Sequence, residues 1–283
     1  MRLIAHRVFE DHRPTAAFDP LCLKGFDGAE FDLRSGEDGE TYVFHAPFMP
    51  RPKATRRTPN KRLDESCQLL ARAPAPPRIL ILDIKTLGAA EHAAEFVASG
   101  GLQAAGLHET QPVFLCWHTE EMTTLRRALP EATILFVIAP IQARRLLRMA
   151  PSDLYAANHF PFLAAAGRFR PRRGKYNSHN INVRLLRKGA PPRLAPDDAD
   201  GVCLLKRFLS PPLVEAAAAH GLQMAVFGWR SAAEAKSHAL AEAVDYAIIR
   251  GPKTAEEAEA RRKLEARRRL NARRRTLRRM VRA

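Results

Sequence analysis

Arg78-Ile-Leu-Ile-Leu-Asp-Ile-Lys85 is the stretch on which the reading of the fold turns. Ile79, Leu80, Ile81 and Leu82 follow one another without a polar break, so neither face of a strand built from them is meant for water. Strands of that kind occur in parallel sheets covered by helices on the outside. The run ends on Asp83-Ile-Lys85, where Asp83 and Lys85 fall on one face and Ile84 on the other, because strand side chains alternate.

Reading downstream, the spacing predicts a helix over 87–99, a strand over 112–117, a helix over 120–128, a strand over 132–139 and a helix over 141–149. The pattern breaks over 151–200, a Pro- and Arg-rich stretch read as a long loop. Within it, residues 168–175 and Asn158-His-Phe-Pro-Phe162 can form a basic and apolar rim or a plain surface elaboration. Alternation resumes with strand 202–208, helix 212–220, strand 223–229, helix 232–243 and strand 246–250. Upstream lie a strand over 2–6, a helix over 15–24 closed by Gly25, and a strand over 28–34. That strand turns at Glu37-Asp38-Gly39 into a hairpin partner over 41–46, and 47–77 reads as a surface excursion with helix near 63–72. Eight buried strands, mostly separated by helices, over about 250 residues are the pattern of a (β/α)8 TIM barrel with a small hairpin after strand 2 and a long insertion between strands 5 and 6. Periodicity favours the barrel by strand count; it carries no information on closure.

Three strand ends carry ionisable groups: His6-Arg7, Glu30-Phe-Asp32 and Asp83-Ile-Lys85. Phe31 and Leu33 turn away from Glu30 and Asp32, so the two carboxylates share a face and repel unless a cation or proton intervenes. Three inward carboxylates, Glu30, Asp32 and Asp83, imply a bound divalent cation that prefers oxygen. Arg7 and Lys85 add fixed positive charge suited to an anionic substrate. His6 and His45, the latter at the end of the hairpin, provide one base and one acid for cleaving a phosphodiester.

The order of these motifs resembles the glycerophosphodiester phosphodiesterases. Ile4-Ala-His-Arg7, Gly25-Phe-Asp-Gly-Ala-Glu-Phe-Asp-Leu-Arg34, Asp38-Gly39, Val43-Phe-His-Ala-Pro47, Leu82-Asp-Ile-Lys85, Val226-Phe-Gly-Trp229 and Val244-Asp-Tyr-Ala-Ile-Ile-Arg-Gly-Pro252 carry the likeness. The resemblance implies a TIM-barrel phosphodiesterase using Mg2+ or Ca2+, in which Glu30, Asp32 and Asp83 are metal ligands and His6 and His45 the acid–base pair. Arg7 and Lys85 would contact phosphate, and Trp229 would line the substrate pocket. It implies hydrolysis of glycerophosphodiesters to an alcohol and glycerol phosphate. Val8 stands where the family has Gly, Ala46 where it has Asp, Asp83 where it has Glu, and Asp11-His12-Arg13-Pro14-Thr15 replaces a Pro-Glu-Asn-Thr motif. Asp83-x-Lys85 and Ala46 are similar to the sphingomyelinase D-type phospholipases of the same superfamily, which implies phospholipase D-type cleavage of a lysophospholipid or sphingolipid through a cyclic phosphate as the alternative. An alternative of another class is a weakly catalytic barrel that binds membrane or nucleic acid through its tail.

The net charge of +16 is concentrated at the end of the chain: residues 261–283 hold twelve Arg or Lys against one acid, so +11 of it lies there. We therefore divide the chain into a barrel domain, 1–252, and a basic C-terminal helix or tail, 253–283. Leu264, Leu270, Leu277 and Val281 interrupt the Arg-rich tail roughly every second turn. That suits an anionic membrane surface, with nucleic-acid phosphate as competitor and a solvated tail as the plain alternative. The four cysteines, Cys22, Cys67, Cys116 and Cys203, are scattered and expected to be reduced. With no apolar leader after Met1 and no membrane-length apolar run, the expected location is cytoplasmic, peripheral to a membrane if the tail binds lipid.

Overall fold

The computed structural model describes residues 1–9, 23–36, 38–43, 62–138 and 195–250. His45, most of the helix expected over 15–24, the helix expected over 141–149, most of the 151–200 insertion, and the tail from 253 lie outside the described residues.

Nine strands are present among the described residues: β1 Arg2–Ala5, β2 Gly28–Ser35, β3 Thr41–Val43, β4 Ile79–Ile84, β5 Gln111–Cys116, β6 Thr133–Ile138, β7 Gly201–Leu205, β8 Gln223–Trp229 and β9 Tyr246–Ile249. All but β3 are parallel to both neighbours, in the circular order β1, β2, β4, β5, β6, β7, β8, β9. The β1–β2 pairing closes the ring, which turns the expected (β/α)8 alternation into a barrel without a free edge. β3 is the hairpin strand, antiparallel to β2 with Val43 opposite Leu33. Helices α1 Leu63–Ala71, α2 Leu87–Ala98, α3 Gly101–Ala104, α4 Thr119–Ala128, α5 Pro211–Ala219 and α6 Ala232–Lys236 complete the described elements, with short 3-10 turns at Lys206–Phe208 and Ala241–Ala243.

Strand parity divides the apolar residues into two cores. Ile4, Ile79, Ile81, Val113, Leu115, Leu135, Val137, Cys203, Ala225 and Ile248 fill the barrel. Their alternates, Phe31, Leu33, Leu80, Leu82, Phe114 and Phe136 among them, pack outward against the helices. Burying each such side chain is worth roughly 1.5–3 kcal/mol. α2 lies close to the wall because its inner face is Ala89, Ala90, Ala93 and Ala94. It starts directly after Lys85 because the Thr86 side chain caps it, accepting from the Ala89 N–H, and the same hydroxyl accepts from the Ser35 N–H at the end of β2. The cap thus ties the carboxyl ends of β2 and β4 together.

The opposite end of the barrel is tight. A Cβ on Gly28 would fall 2.5 Å from the Ile79 carbonyl oxygen and 2.8 Å from Ile4 Cδ1. Gly28→Ala is therefore expected to destabilise the barrel by about 1–3 kcal/mol through overpacking. Urea denaturation reads the loss, and an unchanged midpoint would show that β2 shifts freely against β4.

Two local expectations are corrected. The strand expected over 202–208 ends at Leu205, followed by the 3-10 turn. The helix expected over 232–243 stops at Lys236. There the His238 side chain accepts from the Leu240 N–H at 3.2 Å through Nδ1 and diverts a backbone donor from the helical ladder.

Candidate metal centre

The inward columns of β2 and β4 are apolar or small at one end and ionisable at the other. The register between these strands sets Glu30 beside Ile81 and Asp32 beside Asp83, so sequence-distant carboxylates become lateral neighbours. Glu30 is 1 % exposed, Asp32 2 % and Asp83 9 %. One carboxylate oxygen from each lies within 4.8 Å of the others. These groups stand at the carboxyl ends of the strands, the face from which barrel enzymes act.

The turn after β1 wraps around Glu30. The His6 N–H continues the sheet by donating to the Ile249 carbonyl at 2.9 Å, while the Val8 N–H donates to the Glu30 carbonyl at 3.2 Å. Between them Arg7 takes φ 51°, a left-handed conformation that costs a non-glycine residue about 1–2 kcal/mol. In that conformation the Arg7 N–H donates to Glu30 Oε2 at 2.8 Å, and the guanidinium Nε lies 3.0 Å from Asp32 Oδ2. His6 Nε2 lies 3.6 Å from Glu30 Oε2 with its ring partly open to solvent. The His-Arg pair read from sequence is thus drawn onto the carboxylates by the backbone as well as by charge.

Lys85 is buried between the two aspartates, 2.9 Å from Asp32 Oδ1 and hydrogen-bonded to Asp83 Oδ2. Two carboxylates at its ammonium outweigh the cost of burying it and raise its pKa, so it stays charged. Burial raises the pKa of Asp83, with Asp32 adding to the rise and Lys85 opposing it. Glu30 is pushed up to about 8, first by burial, then by repulsion from Asp32 and Asp83; Arg7 opposes the shift.

Glu30 therefore holds a proton at neutral pH until a cation displaces it. In the metal-free protein the folded state retains this proton above pH 4.5, where the unfolded chain releases it. The associated stability is fully present below 4.5 and is lost as pH rises through about 8. Glu121, buried and raised to about 8 by desolvation, acts with the same sign. Melting temperatures measured in chelator are expected to fall between pH 5 and 8, and a saturating divalent cation to flatten that slope. A flat profile in chelator would show that Glu30 is ionised without metal.

Trp117 and Glu121 carry no motif that marks them in the sequence. Trp117 follows Val113 and Leu115 on the inward side of β5, and its indole Nε1 donates to Asp83 Oδ1 at 2.7 Å. Its ring lies 4.5 Å below the Lys85 ammonium. Glu121 in the first turn of α4 accepts from the backbone N–H groups of Trp117 at 2.9 Å and His118 at 3.1 Å. Strand parity alone marks Trp117 as inward; its partner depends on the β4–β5 register, which sets Leu115 beside Asp83.

Trp229 sits elsewhere. Gly228, at φ 95°, forms a bulge that shifts the register against β9 between Phe227 and Trp229. Phe227 packs with the barrel interior, while Trp229 joins the outer core beside Ile249. The indole is fully buried, with the His238 ring edge-on at 5.2 Å and the Lys206 ammonium over it at 5.4 Å. The ring thus packs in the layer between wall and helices. His45 lies outside the described residues; Val43, two residues before it, is paired with Leu33 next to Asp32. Cys67, Cys116 and Cys203 are free and buried, and burial raises all three thiols, Cys67 to about 12.

The donor set fits a hard divalent cation. It consists of carboxylate oxygens on neighbouring strands, and Glu30 Oε1 is buried with no hydrogen-bond partner among the described residues. A closed parallel barrel with such a triad at its carboxyl end is consistent with a hydrolase of the phosphodiesterase type.

No family model matches the sequence, and no curated protein matches it. The structure strongly resembles glycerophosphodiester phosphodiesterases of several organisms. One is an Oleispira antarctica phosphodiesterase in complex with its product sn-glycerol-3-phosphate, at 15% identity over 92% of this chain and 97% of that one, TM-score 0.55. Another is a glycerophosphodiester phosphodiesterase from Parabacteroides distasonis, at 12% identity over 94% and 97% of the two chains, TM-score 0.51. At these identities the likeness establishes the fold; the chemistry rests on this chain's own residues. Among the described residues no helix is long and apolar enough to cross a membrane.

Proposed function

We propose that this protein is a divalent-metal-dependent phosphodiesterase that hydrolyses glycerophosphodiesters to an alcohol and glycerol phosphate. The observation that carries the reading is the buried triad of Glu30, Asp32 and Asp83 at the mouth of a closed barrel, with His6, Arg7 and Lys85 packed against it. Glu30, Asp32 and Asp83 would hold the cation, Mg2+ or Ca2+. When bound, it supplies positive charge that stabilises the charge developing on a phosphate oxygen.

The side chains account for the remaining chemistry. Lys85 sets its ammonium against both Asp32 and Asp83 and offsets their mutual repulsion. Arg7 fixes Asp32 with its guanidinium and Glu30 with its backbone N–H, while leaving part of its own side chain exposed toward an anionic substrate. His6, partly open to solvent and beside Glu30, exchanges a proton at Nε2 with the reacting group. His45 is its partner: one histidine takes a proton from the attacking water, the other protonates the leaving alcohol. At most about 7 Å of chain separates His45 from Val43.

The Asp83-x-Lys85 arrangement supports a second reading, phospholipase D-type cleavage in which the substrate's neighbouring hydroxyl attacks and a cyclic phosphate forms. A substrate panel of glycerophosphodiesters and lysophospholipids, with product identification and a chelator control, decides between them. Chelator-sensitive release of glycerol phosphate is the expected result. Cyclic phosphate as the sole product would favour the second reading, and no turnover of any diester with added metal would overturn both.

A further inference from the structure

The three carboxylates are not equally available. Asp83 has the Trp117 indole N–H on Oδ1 and the Lys85 ammonium on Oδ2. Asp32 has Lys85 by Oδ1 and Arg7 by Oδ2. Glu30 has the Arg7 N–H and His6 on Oε2. Five of the six oxygens thus already face a donor or cation, and the sixth is Glu30 Oε1, which is without a partner among the described residues. A carboxylate with a donor on each oxygen keeps one free lone pair per oxygen, but both oxygens are weakened and held in direction, which favours single-oxygen over chelating ligation.

Trp117 is the member of this arrangement that no charge requirement explains. Lys85 and Arg7 balance the negative charge; an indole adds none. What it adds is direction. Its ring is 7 % exposed, and its backbone N–H is gripped by buried Glu121. Its N–H therefore holds Asp83 Oδ1 while Lys85 holds Oδ2, which fixes the plane of the carboxylate. A neutral donor on a rigid ring next to a ligand is the kind of outer contact that tunes metal sites by roughly 10- to 100-fold in affinity.

We propose that Trp117 is a positioning residue for the cation: it confines Asp83 to single-oxygen ligation and so makes the site prefer Mg2+ over Ca2+. The inference rests on the metal-dependent reading given above and sharpens it. Ca2+ accepts six to eight oxygens in flexible geometry and uses chelating carboxylates, whereas Mg2+ takes six in octahedral arrangement and keeps several waters. A pocket of single-oxygen ligands leaves room for water and a phosphate oxygen, which suits the smaller ion. Glu30, with its one open oxygen, gives the same kind of ligation.

The test is calorimetric titration of Mg2+ and of Ca2+, separately, into the full chain and into Trp117→Phe, which keeps an aromatic ring near Lys85 and removes the N–H together with part of the ring. The wild-type protein is expected to bind Mg2+ more tightly, and Trp117→Phe to lower the ratio of Mg2+ to Ca2+ affinity by about tenfold. A ratio unchanged within twofold, or an equal loss for both ions, would overturn the positioning role and leave the metal-dependent reading standing. A wild-type chain that binds neither ion would overturn both together. Nitrogen-edited NMR of the wild-type protein is independent of how the variant folds. The chain has two tryptophans, and Mg2+ is expected to move one indole N–H signal while the other stays in place. Two unmoved signals at saturating Mg2+ would also sink the proposal.

Discussion

Glu30→Gln is expected to abolish metal-dependent turnover and yet leave the metal-free protein as stable as the wild type or more so. Glutamine has the shape of protonated glutamate, the form that Glu30 adopts below about pH 8 in the metal-free site. The substitution therefore removes a buried acid whose ionisation the site opposes, and costs the empty fold little. It also removes a carboxylate whose Oε1 has no hydrogen-bond partner among the described residues. Loss of that ligand charge is expected to lower turnover by at least about 10²- to 10³-fold. Melting curves in chelator should show the variant level with the wild type at pH 6 and above it at pH 8.5. Wild-type rates in the variant would remove Glu30 from the metal centre, and a collapsed fold in chelator would show that its charge is structural.

His6→Ala separates chemistry from binding. The imidazole touches Glu30 Oε2 at 3.6 Å, but the backbone N–H groups of Arg7 and Val8, which hold the turn around Glu30, do not depend on the side chain at position 6. The variant is expected to bind the cation within a few-fold of wild type and to lose about 10²- to 10⁴-fold in kcat, the usual contribution of a positioned acid or base. Partial recovery by added imidazole, together with an unchanged KM, would fit a missing proton carrier. Retained activity would take His6 out of the acid–base pair and leave the role to another group.

The two variants bracket a site whose parts differ in how visible they are along the chain. Glu30 with Asp32, and Asp83 with Lys85, are legible because a strand's side-chain period of two is a local property. The register that puts Asp32 beside Asp83 is not, because it depends on how β2 slides against β4. Arg7 illustrates the same limit at the level of one residue. Its charge is visible in the sequence, but the left-handed backbone that turns its N–H onto Glu30 Oε2 is not.

Trp117 and Trp229 show the limit most sharply. By alternation both fall on the inward side of their strands. Trp117 stays there and meets Asp83, whereas one extra residue at Gly228 carries Trp229 to the outer core. A bulge of this kind needs a residue that accepts positive φ, and glycine permits it without announcing it.

What the sequence by itself determined is the repeating strand-and-helix plan, the inward carboxylates at its strand ends, and the opposing Arg7 and Lys85. These follow from periodicity and charge within a few residues of each position. Only the tertiary structure decided that the ring closes through β1 and β2, that three carboxylates converge, and that an indole rather than a second charge aligns Asp83. Closure, convergence and alignment are relations between segments tens of residues apart, set by register and burial, and no local pattern encodes them.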